Sequence, residues 1–235
     1  MDASEQVGVI FLDLKKAFDR VWHAGLIAKL HAAGVRGQLL AWLTDFLSNR
    51  QQQVRVGSAI SDCAGLHAGV PQGAVLSPLL FLLYINDVAE SVKSAEVNLF
   101  ADDTSAYILE KKDPSTIVER LQVAANELSS WFSTWLLSIN TDKSSVIFIK
   151  SPRTSLPPVT VNIYDTPLTQ VSSHKHIGLV FNDKLTWSDH TDLVVHRVSS
   201  KLGLLRRLQH SWPSLALRTI YLTCIRPSIE YGVVA

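Results

Sequence analysis

Cysteine is scarce in this 235-residue chain: Cys63 and Cys224 stand alone, outside any CxxC pair or Cys/His cluster. That excludes a disulfide framework and a structural zinc set, and favours a reducing compartment in which both are expected to be ordinary core thiols. An excess of one charge is also missing. Twenty-two Lys and Arg face 21 Asp and Glu, a formal net charge of +1, so the total gives no sign of a polyanionic partner. The longest apolar run, Ala74 to Ile85, is interrupted by Ser77 and Pro78 and falls well short of the roughly 20 residues a membrane span requires. The opening MDASEQVGVIFLD has no basic flank before an apolar stretch, so no secretory signal and a soluble intracellular protein are expected. With 47% hydrophobic residues, the chain can bury a core as one domain or two packed subdomains.

Val7 to Leu12 is a short β-branched run that ends at Asp13, the pattern of a buried strand with a carboxylate at its C-terminal end. Phe18, Val21, Trp22, Leu26, Ile27 and Leu30 then recur at helical spacing, which predicts a helix over Lys15 to Ala33, stopped by Gly34. Gln38 to Ser48 predicts a second helix. Gln51 to Gly57 and the Gly-rich stretch Gly65 to Gly73 predict a hairpin and a loop, and Ser77 to Val88 a Pro-initiated helix. Glu96 to Phe100 and Ser105 to Leu109 form a predicted β-hairpin with Asp102 and Asp103 at its tip. Asp113, Pro114 and Ser115 are a cap signal for a long amphipathic helix through Trp135, on which Trp131 and Trp135 read as core. Ser145 to Ile149 is a further strand and Ser151 to Pro158 an internal linker. Short strands follow to Asp183, and two helices over Asp189 to Ile229 are broken near Pro213.

A carboxylate at a strand end, with two more at a hairpin tip about ninety residues later, suits two-metal phosphoryl transfer. Mg²⁺ takes hard oxygen ligands and keeps several waters, so a few carboxylates plus substrate phosphates suffice. The pair alone is weak evidence, because 21 acids in 235 positions yield roughly two acidic pairs by chance, and a lone pair is as readily a solvated turn. Its surroundings carry more. Phe11-Leu12-Asp13-Leu14-Lys15-Lys16-Ala17-Phe18-Asp19, Gly69-Val70-Pro71-Gln72-Gly73-Ala74-Val75-Leu76-Ser77-Pro78 and Phe100-Ala101-Asp102-Asp103, in this order, resemble the palm blocks of reverse transcriptases. The wording is most similar to the non-LTR (LINE-type) retrotransposon polymerases. The likeness continues through Ser138 to Ser144, His176 to Leu179, Lys184 to Trp187 with His190, and Ile225-Arg226-Pro227.

The resemblance implies an α+β polymerase right-hand palm, an antiparallel sheet backed by helices, with partial fingers and a helical start of a thumb. It implies RNA-directed DNA polymerisation with two Mg²⁺ ions, Mn²⁺ being an alternative, held by Asp13, Asp102 and Asp103. Phe18 would lie beneath the incoming sugar and obstruct a 2′-hydroxyl. Gln72 and Gly73 would line the nucleotide and template pocket, and Lys143 would neutralise or protonate the departing pyrophosphate. Asp19 reads as structural, a cap or ion pair. His174, His176, His190 and His196 lack a helical HxxxH or a cysteine partner, so no zinc site is expected.

The implied partners are an RNA template, a DNA primer, deoxynucleoside triphosphates and other parts of a larger polyprotein, since the basic upstream fingers of the family are missing; no membrane partner is expected. The implied division is a palm with partial fingers over 1–150, a β-rich primer-side region over 151–192 and a thumb-like helical segment over 193–235. The last segment holds six basic residues against Glu230 alone. Arg197, Lys201, Arg206 and Arg207 are its candidate phosphate contacts. The alternatives are a catalytically silent remnant that only binds nucleic acid or a partner, and an RNA-templated RNA polymerase, which Phe18 disfavours.

Overall fold

The β-branched run after the first residues forms the middle of a five-stranded sheet in the computed structural model, which describes residues 6–110, 114–149 and 160–232. The chain divides into two compact units, Met1–Val171 and Ser172–Ala235. The linker Ser151 to Pro158 and the capping residue Asp113 fall outside the described residues.

The first unit contains β1 (Gln6–Leu12), α1 (His23–Ala32), α2 (Gly37–Leu47), α3 (Ser77–Ile85), β2 (Glu96–Phe100), β3 (Asp103–Glu110), α4 (Pro114–Thr134), β4 (Ser145–Ile149) and β5 (Thr169–Gln170). The sheet order is β5-β4-β1-β3-β2. β1 runs antiparallel to β3, with Leu12 opposite Thr104, and antiparallel to β4, with Phe11 opposite Ser145. Only β5 pairs in parallel, along β4.

The two faces of the sheet separate by residue parity, as the period of a strand requires. Ile10, Leu12, Leu14, Ala106, Ile108, Val146 and Phe148 belong to the main core. Val7, Val9, Phe11, Ile147 and Ile149 belong to a second, small cluster on the other face. α4 lays Ile117, Leu121, Ala125, Leu128 and Phe132 into the main core, as its 3.6-residue spacing predicts, and α3 adds Leu80, Phe81, Tyr84 and Ile85. Each large side chain so buried contributes roughly 1.5–3 kcal/mol. The helices are therefore held by their apolar stripes.

One predicted element is corrected. Lys15 to Ala33 is not a single helix: a 3₁₀ turn spans Ala17–Arg20, Trp22 is extended, and α1 starts only at His23. The break is imposed from a distance. Gly69 N–H donates to the Val21 carbonyl and Val70 N–H to the Phe18 carbonyl, both at 2.8 Å, and Trp22 bridges to Ala68. Backbone groups engaged by the later loop cannot close an α-helical ladder.

The second unit contains β6 (Ser173–His176), β7 (Leu179–Asn182), α5 (Ser188–Leu208), α6 (Ser214–Ile220) and α7 (Arg226–Glu230), with a π-turn over Tyr221–Ile225. The helical break falls at Pro213, which adopts an extended conformation just ahead of α6. Buried Asn182 bonds Thr186 and Ser188 at the start of α5, and Trp187 packs between Phe181 and His190. The two cysteines depart from expectation: Cys63 and Cys224 are exposed, the first in a connection between short strands, within a stretch, 51–65, that is exposed throughout. No helix among the described residues is long and apolar enough to cross a membrane.

Candidate active site

Asp13 follows the last residue of β1 and is half-buried. Its parity sets it on the face opposite α3 and α4, in series with Phe11, while the flanking Leu12 and Leu14 enter the main core. β2 and β3 are joined by a two-residue turn, Ala101 and Asp102, with Phe100 opposite Asp103. Ala101 takes a φ of 53°, a left-handed conformation that permits this tight reversal. Asp102 is half-buried and Asp103 exposed. One step past the Leu12–Thr104 pair, the register sets Asp13 against Asp103. The fold thus brings three sequence-predicted carboxylates to one end of one sheet.

Two further residues act on Asp13 that the sequence block contained without a legible role. The Asn140 amide donates to Asp13 Oδ2 at 3.1 Å, and Asp13 N–H donates to Ser144 Oγ at 3.1 Å. Lys143 lies in the same turn and is exposed, its N–H donating to the Asn140 carbonyl.

Phe18 stacks on Phe81. Gln72 donates from its side-chain amide to Asp19 Oδ1 at 2.8 Å, so Asp19 is held by Gln72, and among the described residues it neither caps a helix nor pairs with a cation. These two line a cavity of about 460 Å³ with Lys16, Arg50, Gln52, Leu66, Ala68, Gly69 and Val70. Arg50 and His23 both bond the Gly69 carbonyl, at 3.0 and 2.8 Å. Gly69 has a φ of +85° and passes so close to Asp19 that a Cβ would stand 2.8 Å from its backbone, so only glycine closes this loop. Gly73 also has a positive φ, +87°, yet a Cβ there would meet nothing within 4 Å; it fronts open space.

In the second unit Arg197, Arg206 and Arg207 are exposed along α5. Lys201 is different. Its ammonium donates to the Cys224 carbonyl at 2.6 Å and to Ser228 Oγ at 2.7 Å, so two of its three donors fasten α5 to the following helices. His174 is held below the usual histidine range by burial and by nearby His176.

The donor chemistry at the sheet end suits a hard divalent cation. Among the described residues no three Asp, Glu, His or Cys side chains converge closely enough to hold an ion alone. Water and substrate phosphates would have to complete the shell, as Mg²⁺ coordination permits.

A largely antiparallel sheet, backed by helices on one face, with Asp13 and the Asp102–Asp103 hairpin at one end, defines a polymerase palm. The family model described as reverse transcriptase (RNA-dependent DNA polymerase) matches residues 2–181. The chain is 32% identical over 238 residues to the probable RNA-directed DNA polymerase from transposon X-element of Drosophila melanogaster, covering 98% of this chain and 26% of that protein. It is 30% identical over 249 residues to the probable RNA-directed DNA polymerase from transposon BS of the same organism, covering 99% and 26%. A third relative, the RNA-directed DNA polymerase from mobile element jockey, is 28% identical over 243 residues, covering 99% and 26%. The chain therefore spans about a quarter of the length of these relatives. Among solved structures, apo telomerase from Candida tropicalis truncated from its C-terminal domain shares the fold, with a TM-score of 0.53 at 14% identity over 77% of this chain and 35% of that one. The chain belongs to the reverse transcriptase family, and its relatives are polymerases of non-LTR retrotransposons.

Proposed function

We propose that this chain is the palm, with part of the fingers and the start of the thumb, of an RNA-directed DNA polymerase acting in retrotransposition. In the reaction the primer 3′-hydroxyl oxygen forms a bond to the α-phosphorus of a deoxynucleoside triphosphate, and the bond from that phosphorus to the bridging oxygen breaks, releasing pyrophosphate. The observation that carries the reading is the union of Asp13 with the Asp102–Asp103 hairpin at one sheet end. When bound there, two divalent ions, Mg²⁺ or Mn²⁺, would activate the hydroxyl and offset phosphate charge. Asp13, Asp102 and Asp103 supply the carboxylates. Phe18 excludes a 2′-hydroxyl by overlap. Gln72 and Gly73 line the nucleotide and template pocket, and Lys143 donates a proton to the leaving pyrophosphate.

Residues 151–192 serve as the primer-side region and 193–235 as the thumb segment, with Arg197, Arg206 and Arg207 on the phosphates of an RNA template and DNA primer. The rest of the grip comes from other parts of a larger polyprotein. Deoxynucleotide addition to an RNA-templated primer tests this, with Asp102→Asn beside the unaltered chain. Metal-dependent incorporation lost in the variant is expected. Equal incorporation by both would overturn the assignment, and salt-dependent hybrid binding without incorporation would select the silent-remnant reading.

A further inference from the structure

The Asp13 end of β1 is closed by a loop that arrives 127 residues later. Asn140 grips Asp13 twice, its backbone N–H donating to the Asp13 carbonyl at 2.7 Å and its side-chain amide to Oδ2 at 3.1 Å. Ser144, 1% exposed, accepts from Asp13 N–H and returns its hydroxyl proton to the Asn140 carbonyl at 2.8 Å. On the other side, Lys15 N–H donates to the Ser138 carbonyl at 2.8 Å and Leu14 bridges to Ile139. The segment 138–144 therefore clasps Asp13 through its backbone and through one carboxylate oxygen.

We infer that Asn140 is a positioning residue for Asp13. A carboxylate at a strand end rotates freely unless something holds it, and its donor can be a cation or a neutral amide. A lysine or arginine here would neutralise Asp13 and compete with an incoming ion. The Asn140 amide fixes Oδ2 without bringing a charge of its own. It also leaves Oδ1 without a side-chain partner among the described residues. Because Lys143 lies between Asn140 and Ser144, the clasp also sets the turn carrying the proposed proton donor relative to Asp13. One chain segment then positions groups on both sides of the bond being exchanged.

This inference rests on the proposed role of Asp13 as a cation ligand. The test uses the full chain and Mn²⁺ alone, with the free-ion electron paramagnetic resonance signal reporting binding, for the unaltered protein, Asp13→Asn, Asn140→Leu and Asn140→Gln. Residues that orient a metal ligand typically alter affinity by 10–100-fold, so Asn140→Leu is expected to weaken Mn²⁺ binding roughly tenfold. Asn140→Gln, which keeps the amide donor, is expected to retain most of the affinity. Thermal unfolding monitors the fold, and Asn140→Ala replaces the leucine variant where that one does not fold. In primer extension, kcat is expected to fall while KM for the deoxynucleotide changes little. Equal Mn²⁺ affinity in the unaltered chain and Asp13→Asn would overturn the ligand role of Asp13 and the clasp with it. Loss in Asp13→Asn without loss in a folded Asn140→Leu or Asn140→Ala would overturn the positioning role alone.

Discussion

The ring of Phe81, fully buried on α3, lies under that of Phe18 with centroids 4.5 Å apart and planes inclined by 23°. In the role proposed for Phe18, steric rejection of a 2′-hydroxyl works only if the rejecting ring cannot retreat, and Phe81 stands behind that ring. Phe81→Leu is expected to raise ribonucleotide use roughly tenfold relative to deoxynucleotides, equivalent to about 1.4 kcal/mol of discrimination. It should also cost about 1 kcal/mol of stability. Competing incorporation assays and urea midpoints measure the two effects. Unchanged selectivity in a folded variant would separate Phe81 from the gate.

Tyr84 supplies a pH signature. Its hydroxyl accepts from Trp22 N–H and donates to the Trp135 carbonyl, and burial, reinforced by Asp87, pushes its pKa up to about 12 despite the Trp22 bond. Below pH 10 the phenol is protonated in folded and unfolded chains alike, and its contribution is complete. Between pH 10 and about 12 the unfolded chain releases the proton first, so stability falls as pH rises. Tyr84→Phe is expected to lose about 1 kcal/mol at pH 8 and to show a shallower alkaline decline. Lys29 and Asp87, which face Tyr84, remain in both proteins, so the difference between the two urea-midpoint curves isolates the phenol. Parallel curves would contradict the shift.

Arg206 and Arg207 should differ from Lys201 in kind. Replacing both arginines with Ala is expected to lower affinity for an RNA–DNA hybrid and to reduce the salt dependence of log K by up to about 2, with little change in unfolding. Lys201→Met should instead destabilise the second unit, since it removes the donor to Cys224 and Ser228. Hybrid binding titrated across salt concentrations, beside thermal melts, distinguishes them. A Lys201 variant with normal stability and a shallower salt slope would reverse the assignment.

The parts that were legible in the sequence are those fixed by local pattern. β1 was readable from its β-branched run, the carboxylate hairpin from two short strands around an acidic turn, and α4 from the spacing of Ile117, Leu121, Leu128 and Phe132. What escaped depends on distant partners. The break at Trp22 comes from Gly69 and Val70. Asp19 gains its role from Gln72, 53 residues away, and Asn140 and Ser144 gain theirs from Asp13. Lys201 shows the reverse case: its position on a basic helix suggested a phosphate contact, but carbonyl and hydroxyl groups 23 and 27 residues later take up two of its three donors.

The central placement of β1 sets the timing of assembly. Both neighbours of this strand lie far downstream, the nearer ending at Glu110 and the other at Ile149. At a synthesis rate of about 5–20 residues per second, roughly 7–27 s separate the emergence of β1 from that of its last partner. Until Glu110 has emerged both hydrogen-bonding edges of this apolar strand are open, and the edge that β4 covers stays open through the whole interval. Pairing over such separations is also intrinsically slow. The nascent chain thus exposes an unpaired apolar edge at the strand that leads to Asp13 for most of the synthesis of the first unit, and the Asp13 end of the sheet closes only once the 138–144 segment and β4 have emerged.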